Sequence, residues 1–383
     1  MESMQFGDYV INLRRELHMH PELSMEESWT SQRICQELTR LGIPYEIVGE
    51  KNVIGILHGS KSESTEAIAL RADFDALPVT EEVNVPWKSK FDGVMHACGH
   101  DAHTAILMGA AKLLVQDPDQ FSGTVYLCFQ QGEETGKGAD ACVAYLKSKG
   151  NVKYAFGAHV LSLLPPGVIN LESGLRATGC YIFHIDIKGK GGHGARPDAA
   201  VSAAEIACDL YQHLIKIPSN HLEAARTCVV SPCMIHAGTK SNIIPETASI
   251  EGTIRFSGEN DRELLTGMVE DLSKAVAKLY GGEAGVTFTT VAPYPIINDA
   301  KACEIGEKAA KDIGLRPVSM PPTSASDNFA EFQHEFPGFY CFIGSKPDRE
   351  GSTGIHHAPT FDLDDSVLPK ASEFFARLCA LVS

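Results

Sequence analysis

Basic charge is scarce in this chain. Against 49 Asp and Glu stand only 33 Lys and Arg among 383 residues, a formal net charge of −16. A surface so acidic repels nucleic acid and anionic membranes, and no basic run or zinc-finger spacing offsets it. The first residues lack a basic region followed by an apolar run, so no signal peptide is expected. Nor is any uninterrupted apolar stretch long enough to cross a membrane. No glycine loop of the phosphate-binding or dinucleotide type follows the early strands, which disfavours a nucleotide-dependent oxidoreductase. The 11 cysteines are an odd number scattered along the chain, as in a reduced, cytoplasmic protein rather than a disulfide scaffold. What the sequence does hold is 44% hydrophobic residues, enough to bury a sizeable core in two domains.

Residues 95–104, MHACGHDAHT, put a thiol, three imidazoles and a carboxylate side by side. Cys98 and His100, one residue apart, would face the same side of an extended segment, a geometry suited to a metal. Residues 67–75 are apolar until Asp73 and Asp75. Residues 124–131 are apolar until Glu133 and Glu134, and residues 154–160 end at His159. That is the profile of buried strands whose C-terminal ends open into a site. Adjacent carboxylates after a buried strand are costly unless a cation compensates one while the other handles protons. Helices are expected over residues 7–19, 26–41, 102–114 and 139–150. His18 and His20, near the end of the first, read as cap or packing residues.

From about residue 176 the pattern becomes strand, helix, strand, strand, helix, strand, the split βαβ order of a small two-layer α+β domain of ferredoxin-like type. Its exposed strand edge or helical face could pair with a second copy. From 293 the α/β character returns, with a strand at 339–343 and a C-terminal helix. The expected fold is therefore α/β, with a central, mostly parallel sheet formed by residues 1–175 and 293–383. Residues 176–292 are the inserted domain, joined by two linkers that act as a hinge.

The chain resembles the aminoacylase, hippurate hydrolase and auxin-conjugate amidohydrolase group of dinuclear metallopeptidases, related to glutamate carboxypeptidases. The matching stretches are RRELHMHPELSMEE (14–27), RADFDALPVTEE (71–82), MHACGHDAHTA (95–105), QQGEETGKGA (130–139) and GAHV (157–160). GKGGHGARP (189–197), AGTKSNIIPE (237–246), EGTIR (251–255) and HHAPTFDLDD (356–365) complete the series. The resemblance implies a zinc-peptidase-like catalytic domain with an inserted lid and dimerisation domain, and hence a homodimer. It implies two divalent ions (Mn2+, Zn2+ or Co2+) held by Cys98, His100, Glu134, His159 and His357, with Cys98 bridging. Glu133 would be the general base, and Asp75 would orient a ligand imidazole. His193 would reach a partner subunit's site to donate to the oxyanion. Asn242 and Arg255 would face the substrate, Arg255 as the clamp for the amino acid carboxylate, and Gly338 would line the acyl side through its backbone.

The implied activity is hydrolysis of an N-acyl or N-aroyl amino acid, a small-molecule substrate, to a carboxylic acid and a free amino acid. A dipeptide or aminobenzoyl-glutamate substrate would use the same site. A non-catalytic binding protein on a decayed hydrolase scaffold is the alternative of another class. The chain departs from the family pattern at QQGEE, at Arg176, and at residues 326–329, where SDNF replaces S-E-D-F. These changes are expected to bear on specificity.

Overall fold

The computed structural model describes residues 2–222, 227–258 and 260–382. They form two compact units: one of Met1–Arg176, Ile297–Pro322 and Asn328–Ser383, the other of Ala177–Ile296 with Thr323–Asp327.

The first unit is built on strands β1 (Tyr45–Val48), β2 (Asn52–His58), β3 (Ala67–Asp73), β4 (Thr124–Gln130), β5 (Val152–Leu161) and β6 (Val168–Asn170), with Arg316–Pro317 and Gly338–Gly344. Their order in the sheet is β1, β2, β4, β3, β5, Gly338–Gly344, β6 and Arg316–Pro317. The four central strands run parallel. Antiparallel pairing enters only toward the edges, between β1, β2 and β4 and between Gly338–Gly344 and β6. Both β3 and Gly338–Gly344 are buried along their whole length, as parallel strands covered on both faces must be.

Helices α1 (Glu2–His18), α2 (Ser28–Arg40), α3 (His100–Gln116) and α4 (Ala139–Lys149) pack around this sheet with the C-terminal helix Leu368–Val382. Because α3 is apolar on nearly every side and lies between α1, Leu368–Val382 and the sheet, its N-terminus is held rigidly at the sheet edge. A continuous core running through Leu70, Leu107, Phe129, Phe156, Phe339 and Phe374 fixes the layers. Since β3, β4 and β5 are parallel, their C-terminal ends emerge together, and the polar residues that follow them gather there.

In the second unit, strands Val229–Ala237, Thr247–Phe256, Gly179–Lys188 and Glu283–Ala292 lie in that order and are all antiparallel. Helices α5 (Ala203–Leu214) and Asp261–Leu279 cover one face. Alternate residues of Thr247–Phe256 point inward, burying Ala248, Ile250, Ile254 and Phe256 against Ile206, Leu210 and Leu265. This order is the split βαβ arrangement expected of the insertion. Residues 323–327, expected in the second catalytic segment, pack with this unit instead.

Candidate metal centre

All the polar strand ends come from the first unit. Cys98 and His100 do not share an extended segment, contrary to the expectation from their spacing: α3 begins at His100, and Gly99 caps it in the left-handed conformation, φ 94°. A Cβ on Gly99 would stand 2.5 Å from Val160 Cγ2, so glycine is required by both conformation and space. The turn brings the Cys98 sulfur 3.3 Å from His159 Nε2 on β5.

Donor atoms of Cys98, His100 and His159 lie within 4.8 Å of one another, as do those of Cys98, Glu134 and His357, and those of His100, Glu133 and Glu134. His357 Nε2 approaches Glu134 Oε1 at 3.4 Å. Its backbone is left-handed, φ 64°, with its N–H donating to Ala97 O at 2.8 Å. For a non-glycine residue that conformation is strained and marks a constrained position. The neighbouring His356 points elsewhere, with Nε2 3.1 Å from Val160 O. Burial drives it down to about 4, so it is a neutral ring donating to that carbonyl.

Two buried atoms at the centre, His100 Nε2 and Glu134 Oε1, face each other at 3.9 Å, and neither makes a well-aligned hydrogen bond. On its other side His100 is held by Nδ1, 3.0 Å from Asp75 Oδ1. Asp75 Oδ2 accepts from Ser24 Oγ at 2.6 Å and from Glu134 N at 2.9 Å. Although burial opposes it, the charges of Asp73 and Cys98 and the bond to Asp75 raise His100 well above the usual imidazole range. With Nδ1 held by Asp75, Nε2 is the inward atom at which a bound cation would replace the proton. Against the upward push of burial, His100, Ser24 and the Glu134 amide hold the Asp75 carboxyl below its ordinary range. Burial above all holds His159 well below the usual imidazole range. His159 is therefore neutral, the form that binds metals.

Cys98 behaves oppositely. Burial and the Glu134 charge push its thiol well up. Soft and hard donors clustered this closely fit divalent cations, whose charge would stabilise the thiolate and the paired carboxylates together. The residues present therefore suit the two-ion centre that the resemblance implies.

Further supports were not assigned from sequence. Asp73, fully buried, pairs with Arg71 at 2.7 Å and accepts from His103 Nδ1 at 2.6 Å. His103 Nε2 accepts from Val160 N at 2.9 Å, and Val160 O lies 2.7 Å from His159 Nδ1. The strand end carrying His159 is thus tied to α3 and β3. His18, read as a cap or packing residue, sits in a buried ionic cluster, 2.7 Å from Asp101 Oδ2 and 3.3 Å from Glu81 Oε1. Arg14 Nε joins Asp101 at 2.8 Å. This cluster fixes the first turn of α3 from behind. His96 is buried beside His18, with ring centroids 6.2 Å apart, and burial takes it down to about 4. It is a neutral packing ring. His20 stacks on Trp29 at 4.3 Å, consistent with a packing role.

Glu133 opens the turn after β4, its Oε1 3.3 Å from Asn328 N. Glu27 Oε1 accepts from Gly132 N at 2.8 Å, and burial pushes the Glu27 carboxyl up to about 7. Gly338 does not fit the role expected of it. It opens its strand opposite Ala155, at the far end from the His159 level, and a Cβ there would meet Ala155 O at 1.7 Å. Its backbone serves close strand packing rather than the site edge. Arg176 is also accounted for structurally. Nearly buried, it donates to Glu172 Oε2 and Met320 O, each at 2.9 Å.

Three candidates lie in the second unit. His193 pairs in a short ladder with Ile243, and its Nδ1 accepts from Ala195 N at 3.0 Å. Asn242 O accepts from Gly194 N at 3.0 Å, which places Asn242 beside the His193 loop. Arg255 Nη1 donates to Ser326 Oγ at 3.0 Å and to Ser324 O at 3.3 Å.

Residues 69–380 match the model of peptidase family M20/M25/M40. Thermostable carboxypeptidase 2 of Saccharolobus solfataricus is 36% identical over 95% of this chain and 93% of its own length. N-acetylcysteine deacetylase of Bacillus subtilis is 34% identical over 100% and 99%. The crystal structure of the Bacillus subtilis YXEP protein, described as a dinuclear metal binding peptidase from the M20 family, superposes with a TM-score of 0.85 at 33% identity, covering 99% of each chain. With its central sheet, inserted antiparallel unit and cluster of metal donors at the parallel strand ends, the chain belongs to peptidase family M20/M25/M40.

Proposed function

We propose that the protein is a metal-dependent amidohydrolase that cleaves the amide bond of N-acyl amino acids, releasing a carboxylic acid and a free amino acid. The observation that carries this reading is the clustering of donor atoms from Cys98, His100, Glu134, His159 and His357, with Glu133 alongside. Two divalent ions bound there would supply Lewis-acid polarisation of the scissile carbonyl and lower the pKa of the attacking water. Glu133 takes the water proton as the nucleophile attacks and returns it to the departing amine nitrogen. Asp75 keeps His100 in the tautomer that faces the centre, and the Asp73–His103 pair steadies the segment carrying His159.

His193 would donate to the oxyanion in the partner's site of a homodimer, and Arg255 would pair with the substrate carboxylate while Asn242 contacts the same ligand. Residues 176–292 would then serve as lid and dimerisation domain. Support for a dimer comes from the edge strand Val229–Ala237, which exposes Val229, Met234 and Ile235. Exposed apolar strand edges invite pairing. Eleven free cysteines suit a reducing, cytoplasmic setting, and among the described residues no helix is long and apolar enough to cross a membrane.

The names of the relatives favour small acylated amino acids or peptides as substrates. The test is a panel of N-acetyl amino acids, N-benzoyl amino acids and dipeptides under defined Mn2+, Zn2+ or Co2+. Hydrolysis of the acylated amino acids that is lost with chelator and restored by metal is expected. A protein that binds these compounds without turnover under every metal would contradict the reading.

A further inference from the structure

Asn328 stands where the family resemblance expects the second acid of S-E-D-F, and it is fully buried, 0% exposed. Its backbone O accepts from Glu331 N at 3.0 Å, and its other polar groups are also bonded. The backbone N–H donates to Glu133 Oε1 at 3.3 Å. Side-chain Oδ1 accepts from Arg71 Nη2 and from Gln130 Nε2, both at 2.9 Å. Side-chain Nδ2 donates to Lys137 O at 2.9 Å. A guanidinium only donates and a carbonyl only accepts, so the amide orientation is dictated by its neighbours.

Those neighbours lie on the elements that carry the site. Arg71 also pairs with Asp73 and donates to Gln130 Oε1, joining β3 to β4. Glu133 and Lys137 belong to one turn, closed by Gly136 N to Glu133 O at 2.8 Å and Lys137 N to Gly132 O at 2.9 Å. The Asn328 side chain therefore fixes the turn at Lys137 O and anchors residue 328 to Arg71 and Gln130, and that anchoring sets where its backbone N–H meets the Glu133 carboxylate.

We propose that Asn328 is a positioning residue that holds the Glu133 carboxylate in its reacting orientation, and that this chain requires an amide there rather than an acid. The proposal rests on the reading of Glu133 as general base. Aspartate at 328 would keep the acceptor for Arg71 and Gln130 but set its second oxygen against Lys137 O, exchanging attraction for repulsion at 2.9 Å. Alanine would remove all three side-chain bonds. A carboxylate misplaced by less than an ångström costs rate, because proton transfer depends on alignment, while substrate affinity is set elsewhere.

The test uses the metal-loaded, full-length enzyme carrying Asn328→Ala or Asn328→Asp, alone and combined with Glu133→Gln, with metal content measured for each. In both single variants kcat should fall by about tenfold or more with KM within about twofold and metal content unchanged. In the Glu133→Gln background either substitution should cost less than about twofold further, because the group being positioned is gone. Asn328→Asp, nearly the same shape, keeps the test open if the alanine variant does not fold. Full kcat in a folded variant, a rise in KM with kcat unchanged, or an undiminished loss in the Glu133→Gln background overturns the proposal. Full activity of Glu133→Gln alone would overturn the base assignment and this inference with it, whereas a slow Glu133→Gln beside an unimpaired Asn328→Ala overturns only the inference.

Discussion

Asp75→Asn tests how the centre is preorganised, because it keeps the shape of the side chain and alters only its hydrogen-bonding sense. In the native protein Oδ1 lies 3.0 Å from His100 Nδ1, and Oδ2 accepts from Ser24 Oγ at 2.6 Å and Glu134 N at 2.9 Å. An amide must point its NH2 at one side or the other. Turned toward His100, it forces the ring proton onto Nε2, the inward atom. Turned toward Ser24 and the Glu134 amide, it sets N–H against N–H. Either way at least one charge-assisted bond is lost, worth about 1.5–3 kcal/mol. At about 1.4 kcal/mol per tenfold, metal affinity should fall by roughly ten- to a hundredfold. The assay is calorimetric or chelator-competition titration of metal-free protein at neutral pH, wild type beside variant. Affinities within twofold of wild type for every bound ion would refute the argument that Asp75 sets the His100 tautomer.

Gly99→Ala combines a left-handed backbone, φ 94°, with a Cβ 2.5 Å from Val160 Cγ2. It should destabilise the fold by about 2–4 kcal/mol and weaken metal binding, since Cys98 and His100 flank the site of strain; thermal unfolding and metal titration check both effects. Glu331→Gln tests a pH dependence away from the centre. Burial, and then Asp140, raise the Glu331 carboxyl from 4.5 to about 7. The folded state thus favours the protonated acid, and the associated stability is complete below pH 4.5 and lost as pH rises through 7. The glutamine variant should be more stable than wild type by about 1–2 kcal/mol at pH 8 and nearly equal to it at pH 4.5, read from urea midpoints. Equal midpoints at both pH values would refute the assignment.

Much of the site could be read from the sequence because its elements are local. A strand that is apolar to its last residue and then ends in Asp73 and Asp75, or in Glu133 and Glu134, announces where charge meets a sheet edge. Because β3, β4 and β5 are parallel, those separate signals meet in space. The supports were not legible, because they join residues far apart. Arg71 and Asn328 are 257 positions apart, and His18 and Asp101 are 83. A histidine at a helix end looks the same whether it caps the helix or enters an ionic cluster; only packing separates the two. Gly338 failed for a related reason. A motif can name a glycine without telling which end of its strand it occupies, and here that end lies away from His159. Cys98 and His100 lie close together by a geometry other than the expected one, since a left-handed glycine rather than an extended backbone joins them.

The most direct test of the central claim is anomalous diffraction from crystals loaded with manganese, zinc or cobalt. The proposed function expects two ions, held by Cys98, His100, Glu134, His159 and His357, whose donor atoms cluster here. A single ion, or a Cys98 sulfur turned away from the density, would contradict it.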